Sequence, residues 1–119
     1  MKFLCLAYGK EEDWNALSKQ EQDALVAQDE VLRNRGDLVA VLGSPTTVRA
    51  WDGRPSTTGR PYARGDAPLV GFSLIDAEDI DQVVQFVAGT PCARAKGAIE
   101  IRPLEQAANV EGSMRGTTS

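Results

Sequence analysis

The chain has 119 residues, 42% of them hydrophobic and 25% charged, with a net charge of −4. This is the size and composition of one soluble domain, and the acidic balance argues against a nucleic-acid groove or an anionic membrane surface as a main partner. Histidine is absent, which removes the commonest general base and the commonest metal-binding nitrogen, and two cysteines far apart in sequence do not make a zinc site.

Residues 2–8 read as a strand. Phe3, Cys5 and Ala7 point one way and Leu4, Leu6 and Tyr8 the other, so both faces ask to be buried. The opening "MKFLCLAYGK" is too short for a signal peptide or a membrane span, and a cytoplasmic protein with free thiols is expected. A polar loop follows, with Trp14 and Leu17 expected to fold back onto the body. "SKQE" at 18–21 matches a capping box, which predicts a helix over 19–35 ending at Gly36. Helical spacing puts Leu17, Glu21, Ala24, Leu25, Gln28, Val31 and Leu32 on its inward face. Gln28 is the polar member of that stripe: either a boundary residue bonded to backbone, or a group aimed into a cavity.

Residues 37–43 and 46–53 read as two strands, and the "GSP" between them predicts a hairpin. Thr47, Arg49 and Trp51 share one face of the second. A turn-rich loop is expected over 52–68, then a strand over 69–77 in which Gly71 marks a close backbone approach. "DAEDIDQVVQFVAGTP" predicts a helix capped by Asp76 or Asp79, with Ile80, Val83, Val84 and Val87 inward. Asp76, Glu78, Asp79 and Asp81 fit a charged helix start better than a metal site. A last strand over 97–104 has Ile99 and Ile101 on one face and Glu100 and Arg102 on the other. The residues from 105 to 119 read as a flexible tail.

The order β-α-β-β-loop-β-α-β predicts an α+β, ferredoxin-like domain over 1–104, with both helices on one face of an antiparallel sheet. The other face, with Leu4, Leu6 and Trp51, is too apolar for water, which predicts a homodimer pairing sheet to sheet.

"MKFLCLAYG", "TTVRAWDGRP" and "GF.LIDAEDIDQVVQFV…GAIEIRPL", in that order, resemble the YCII-related, DGPF-domain family of bacterial proteins over 1–104. The resemblance implies a dimeric α/β barrel, a biochemical role that is largely undefined, and in some relatives a His–Asp pair proposed to be catalytic or a link to extracytoplasmic-function sigma factors. The signature loop keeps its spacing here, since Gly71 and Phe72 lie ten and eleven residues after Pro61. Its chemistry departs. Gly59 stands where the family has aspartate and Arg60 where it has glycine, followed by Pro61 and Tyr62. Arg64 replaces an acid and Asp66 a lysine, while Gln28 stands at the histidine position.

Glutamine does not shuttle protons near neutral pH. The expectation is therefore a dimeric small-molecule-binding protein that has lost the pair, with Tyr8, Gln28, Arg49, Arg60, Tyr62 and Asp66 as ligand-binding residues for a small anion. Arginine offers planar bidentate donors to such a group, or equally a brace for its own loop. No cofactor is expected: the loop lacks both G-x-G-x-x-G and G-x-x-x-x-G-K-[ST]. The alternative is a non-catalytic regulatory or interaction module working through the tail, linked to sigma-factor signalling.

Overall fold

The computed structural model describes residues 1–63 and 65–105. Arg64 lies outside them, and so does the expected tail apart from Glu105. In chain order the elements are β1 (Lys2–Tyr8), α1 (Glu11–Asn15), α2 (Lys19–Asn34), β2 (Leu38–Val41), β3 (Thr47–Arg49), β4 (Ser56–Thr58), β5 (Leu69–Asp76), α3 (Ile80–Val87), α4 (Pro91–Arg94) and β6 (Ala98–Pro103). Four strands form an antiparallel sheet in the order β2-β5-β1-β6. This is the α+β, ferredoxin-like arrangement, with β3 and β4 set apart as a two-stranded arm.

Local chemistry fixes the helices as the caps predict. Ser18 Oγ accepts the Glu21 N–H at 3.1 Å, and Glu21 returns a carboxylate to the Ser18 N–H at 2.9 Å. That exchange holds the Glu21 carboxyl below its ordinary range. After α2, Gly36 takes φ +96°, the left-handed turn that suits glycine. Asp79 caps α3 through the Gln82 N–H at 2.9 Å. The turn after α2 is clasped to the end of β5: Arg35 Nε pairs with the buried Asp37 carboxylate at 3.1 Å, and Arg35 Nη2 donates to the Asp76 carbonyl at 2.7 Å. The same guanidinium lies over the Phe86 ring.

The core lies between sheet and helices, where Phe3, Cys5, Leu32, Ile75, Val83 and Val87 form one buried cluster. Both cysteines are free. Among the described residues no helix is long and apolar enough to cross a membrane.

Three local expectations need correction. The "GSP" segment does not close a hairpin: β2 pairs with β5, and β3 pairs with β4 inside the stretch expected to be loop. Pro45 has no N–H to give a ladder, and β5 offers β2 apolar partners, Leu38 opposite Leu74 and Ala40 opposite Phe72. Trp51 therefore leaves the sheet and stands on the arm, 90% exposed. The inward face of α2 is also turned by about one residue. Gln22, Leu25, Gln28, Asp29 and Leu32 face the body, while Glu21, Ala24 and Val31 are exposed.

Candidate functional site

Along the helix-covered face of the sheet, side chains shrink in register. Phe3 lies opposite Ile75, Cys5 opposite Ser73, and Ala7 opposite Gly71. The first pair fills the core. The last two leave a recess, because no side chain there is long enough to reach the helices. Gly71 is required at its position, since a Cβ would come within 2.7 Å of the Ala40 carbonyl oxygen. Gly9 is similarly close to the Cys92 sulfur, at 3.1 Å from a Cβ placed there.

The recess is a cavity of about 460 Å³ bounded by the sheet, α1, α2 and the α3–α4 junction. Leu32, Val39, Val87, Ile99 and Ala95 supply apolar wall. Its polar groups come from four places: Lys10 and Glu11 where β1 leads into α1, Asp29 on α2, Thr90 and Cys92 around the start of α4, and Ser73 on β5. Trp14 closes part of the wall, as the expectation that it folds back requires. Its carbonyl accepts the Gln22 side-chain amide at 2.9 Å, tying α1 to α2.

Burial sets the protonation of this interior. Desolvation raises the Asp29 carboxyl above the ordinary aspartate range; nearby Arg33 opposes that and Glu30 adds to it. Desolvation also raises the Cys92 thiol, with Asp29 contributing through its charge. Cys5 is raised by burial, against a hydrogen bond with Ser73. Both thiols are thus the protonated, slowly reacting form at neutral pH. Thr90 Oγ1 donates to the Val87 carbonyl at 2.6 Å, which leaves the cavity its lone pairs.

The six residues expected to bind ligand fall in other places. Tyr8 is on the uncovered side of the sheet, its hydroxyl donating to Glu100 at 3.4 Å. Gln28 lies in the helix layer and donates its amide to the Phe86 carbonyl at 3.0 Å, the backbone-bonded arrangement that was one of its two readings. Arg49 and Tyr62 come together on the arm, the guanidinium 5.4 Å from the Tyr62 ring centre and 5.7 Å from that of Trp51. Arg60 serves the arm through its backbone: its carbonyl accepts the Thr47 hydroxyl at 2.6 Å and its N–H donates to Thr58 Oγ1 at 2.9 Å. Asp66 is exposed in the loop before β5. None of the six lines the cavity. Sequence reading missed Lys10, Asp29, Ser73, Thr90 and Cys92. The signal available was the shrinking inward series Phe3, Cys5, Ala7 and its mirror Ile75, Ser73, Gly71.

Residues 1–108 match the YCII-related domain. The chain belongs to the YCII-related family. Among solved structures it is similar to the 5-chloro-2-hydroxyhydroquinone dehydrochlorinase of Burkholderia phenoliruptrix AC1100, in complex with 2,5-dihydroxybenzoquinone, at 18% identity and a TM-score of 0.49. That similarity covers 93% of this chain and 100% of the other. No curated protein matches the sequence. Within the YCII-related family, the resemblance implied a histidine where this chain has Gln28 and an aspartate where it has Gly59.

Proposed function

We propose that this YCII-related protein is a homodimeric small-molecule-binding protein without the His–Asp chemistry of some relatives, and that its ligand occupies the cavity between the sheet and α2. The cavity itself carries the reading: a recess of about 460 Å³ with mostly apolar walls and a few convergent polar groups is the form that ligand sites take. Gln28 supports the loss of proton transfer, since its amide is committed to the Phe86 backbone. In this reading Arg49, Arg60 and Tyr62 shape the arm, and the ligand meets α2 and α4.

The dimer is supported by the uncovered face of the sheet. Leu4, Leu6, Phe72 and Leu74 form adjacent pairs there and are only half-buried, and Leu38 beside them is exposed. A contiguous apolar face of this kind is stabilised by a self-complementary partner.

Binding is tested with Ala7→Leu, which extends a side chain into the recess. Compounds of one or two rings are expected to raise the melting temperature of the unaltered protein and to slow alkylation of Cys92. Both effects are expected to vanish in the variant. Equal stabilisation and equal protection in both proteins would show that the compounds do not occupy the Ala7 recess and would overturn the assignment.

A further inference from the structure

We propose that the cavity selects a primary amine carried on an apolar body, with the Asp29 carboxylate receiving the ammonium group. This rests on the reading of the cavity as a binding site and names the class of molecule it takes.

Asp29 is half-buried and faces the cavity from α2. Among the described residues no donor is hydrogen-bonded to its carboxylate. Arg33, one turn further along the helix, pairs instead with Glu30. A partly desolvated carboxylate without a partner is costly, and a cation delivered into the same space offsets that cost.

The surrounding groups favour the same class. The Thr90 hydroxyl has already given its proton to Val87, so it presents acceptor lone pairs. The charged residues on the wall are Glu11 and Asp29 against one lysine, Lys10. The Glu11 and Asp29 carboxylates and the Thr90 lone pairs are complemented by a head group that only donates, and an ammonium has three N–H groups and no acceptor. A carboxylate ligand would meet Asp29 with like charge. The apolar wall of Leu32, Val39, Val87 and Ile99 sets the rest of the molecule: a hydrocarbon body of one or two rings.

A matched series separates the head group from the body: naphthylethylamine, naphthylethanol and naphthylacetate, titrated by calorimetry into the full chain at neutral pH. The amine is expected to bind about tenfold or more tightly than the alcohol, as a charge-assisted hydrogen bond requires, and the acetate most weakly. In Asp29→Asn the amine is expected to fall to the level of the alcohol, while alcohol binding is unchanged. Asp29→Ala gives a second comparison should the amide of Asn make a new bond. Equal binding of amine and alcohol, or a preference for the amine that survives both substitutions, overturns the role of Asp29 and leaves the cavity as a binding site. Failure of all three compounds to bind, with Cys92 alkylation unprotected, overturns both.

Discussion

On one side of the central sheet Phe3, Cys5 and Ile75 are buried beneath α2 and α3. On the other, Leu4, Leu6 and Leu74 alternate with them along the same strands and stay half-exposed. The two faces are about equally apolar in sequence, and what differs is the cover. The chain spends its two long helices on one face, and the other carries polar groups only towards its margins, among them the Lys2–Asp76 ion pair, Glu100, Arg102 and the Tyr8 hydroxyl. The covered face is also uneven: full at the Phe3–Ile75 end and hollow at the Ala7–Gly71 end. One face therefore supplies stability and a cavity, and the other stays a half-exposed apolar surface, the one assigned to the proposed dimer.

Neighbouring residues on β5 give the sharpest way to break this contrast. Ile75 is 0% exposed. Its truncation in Ile75→Ala is expected to cost about 2–5 kcal/mol, seen as a lower denaturant midpoint. Leu74, next in sequence but on the uncovered face, is expected to cost the monomer about 1 kcal/mol when truncated to alanine. Similar losses at the two positions under dilution to monomer would show that the faces are not distinct.

The second effect concerns assembly. Leu6→Lys puts a charge in the middle of the uncovered face, opposite Phe72 on one side and Glu100 on the other. The variant is expected to fold, because Leu6 does not belong to the buried cluster. It is also expected to sediment as a monomer at micromolar concentration, where the unaltered protein is expected to sediment as a dimer. An unaltered protein that is already monomeric would remove the dimer from the proposal.

The fold was largely legible because its signals are local or periodic. The capping box at Ser18, the αL glycine at 36, the alternation in residues 2–8 and the Ile99–Ile101 pair each act within a few residues, and the apolar alternation leaves one register for the sheet. The arm was not legible, since pairing of Thr47–Arg49 with Ser56–Thr58 depends on two short polar strands preferring each other to the sheet edge. The face of α2 was misjudged for a related reason. The helix has few large apolar residues, and counting Ala24 and Val31 as inward alongside Leu25 and Leu32 shifted the face away from Asp29, which with those two leucines defines the side that packs. The candidate site was least legible. A cavity is made by what neighbouring side chains fail to fill, and that emerges only when Cys5–Ser73 and Ala7–Gly71 are set opposite each other.

Asp29 ties the hollow end of the covered face to stability. Its carboxyl faces Glu30 and Arg33 on its own helix and Cys92 on α4, with Lys10 and Glu11 on the further wall of the cavity. Burial raises its pKa in the folded state above the unfolded value. Between those two values the folded protein binds more protons than the unfolded chain, so stability falls as pH rises through the window and stays lower at neutral pH. Asp29→Asn is expected to raise the melting temperature at neutral pH and to leave it nearly unchanged below the ordinary aspartate range. The shift should be smaller than that of Ile75→Ala and opposite in sign. A lower melting temperature at neutral pH would mean that the carboxylate is paired in solution, and that the cavity does not hold an unsatisfied acid.

The smallest expected effect separates the arm from both faces. Arg49 lies over Trp51 and Tyr62, two rings that are 90% and 74% exposed. Cation–π contacts at such exposed sites contribute about 0.5–1 kcal/mol, and the arm has its own two-stranded ladder outside the main sheet. Arg49→Ala is therefore expected to leave the global unfolding transition within about 0.5 kcal/mol. Amide exchange should quicken across Thr47–Arg49 and Ser56–Thr58 while β1 and β5 keep their protection, because local opening is governed by the contacts of the segment that opens. If the cavity holds the ligand, this variant should also bind naphthylethylamine with unchanged affinity. A loss of binding together with faster arm exchange would instead bring Arg49 and Tyr62 back into the site, and the arm would then be part of the pocket.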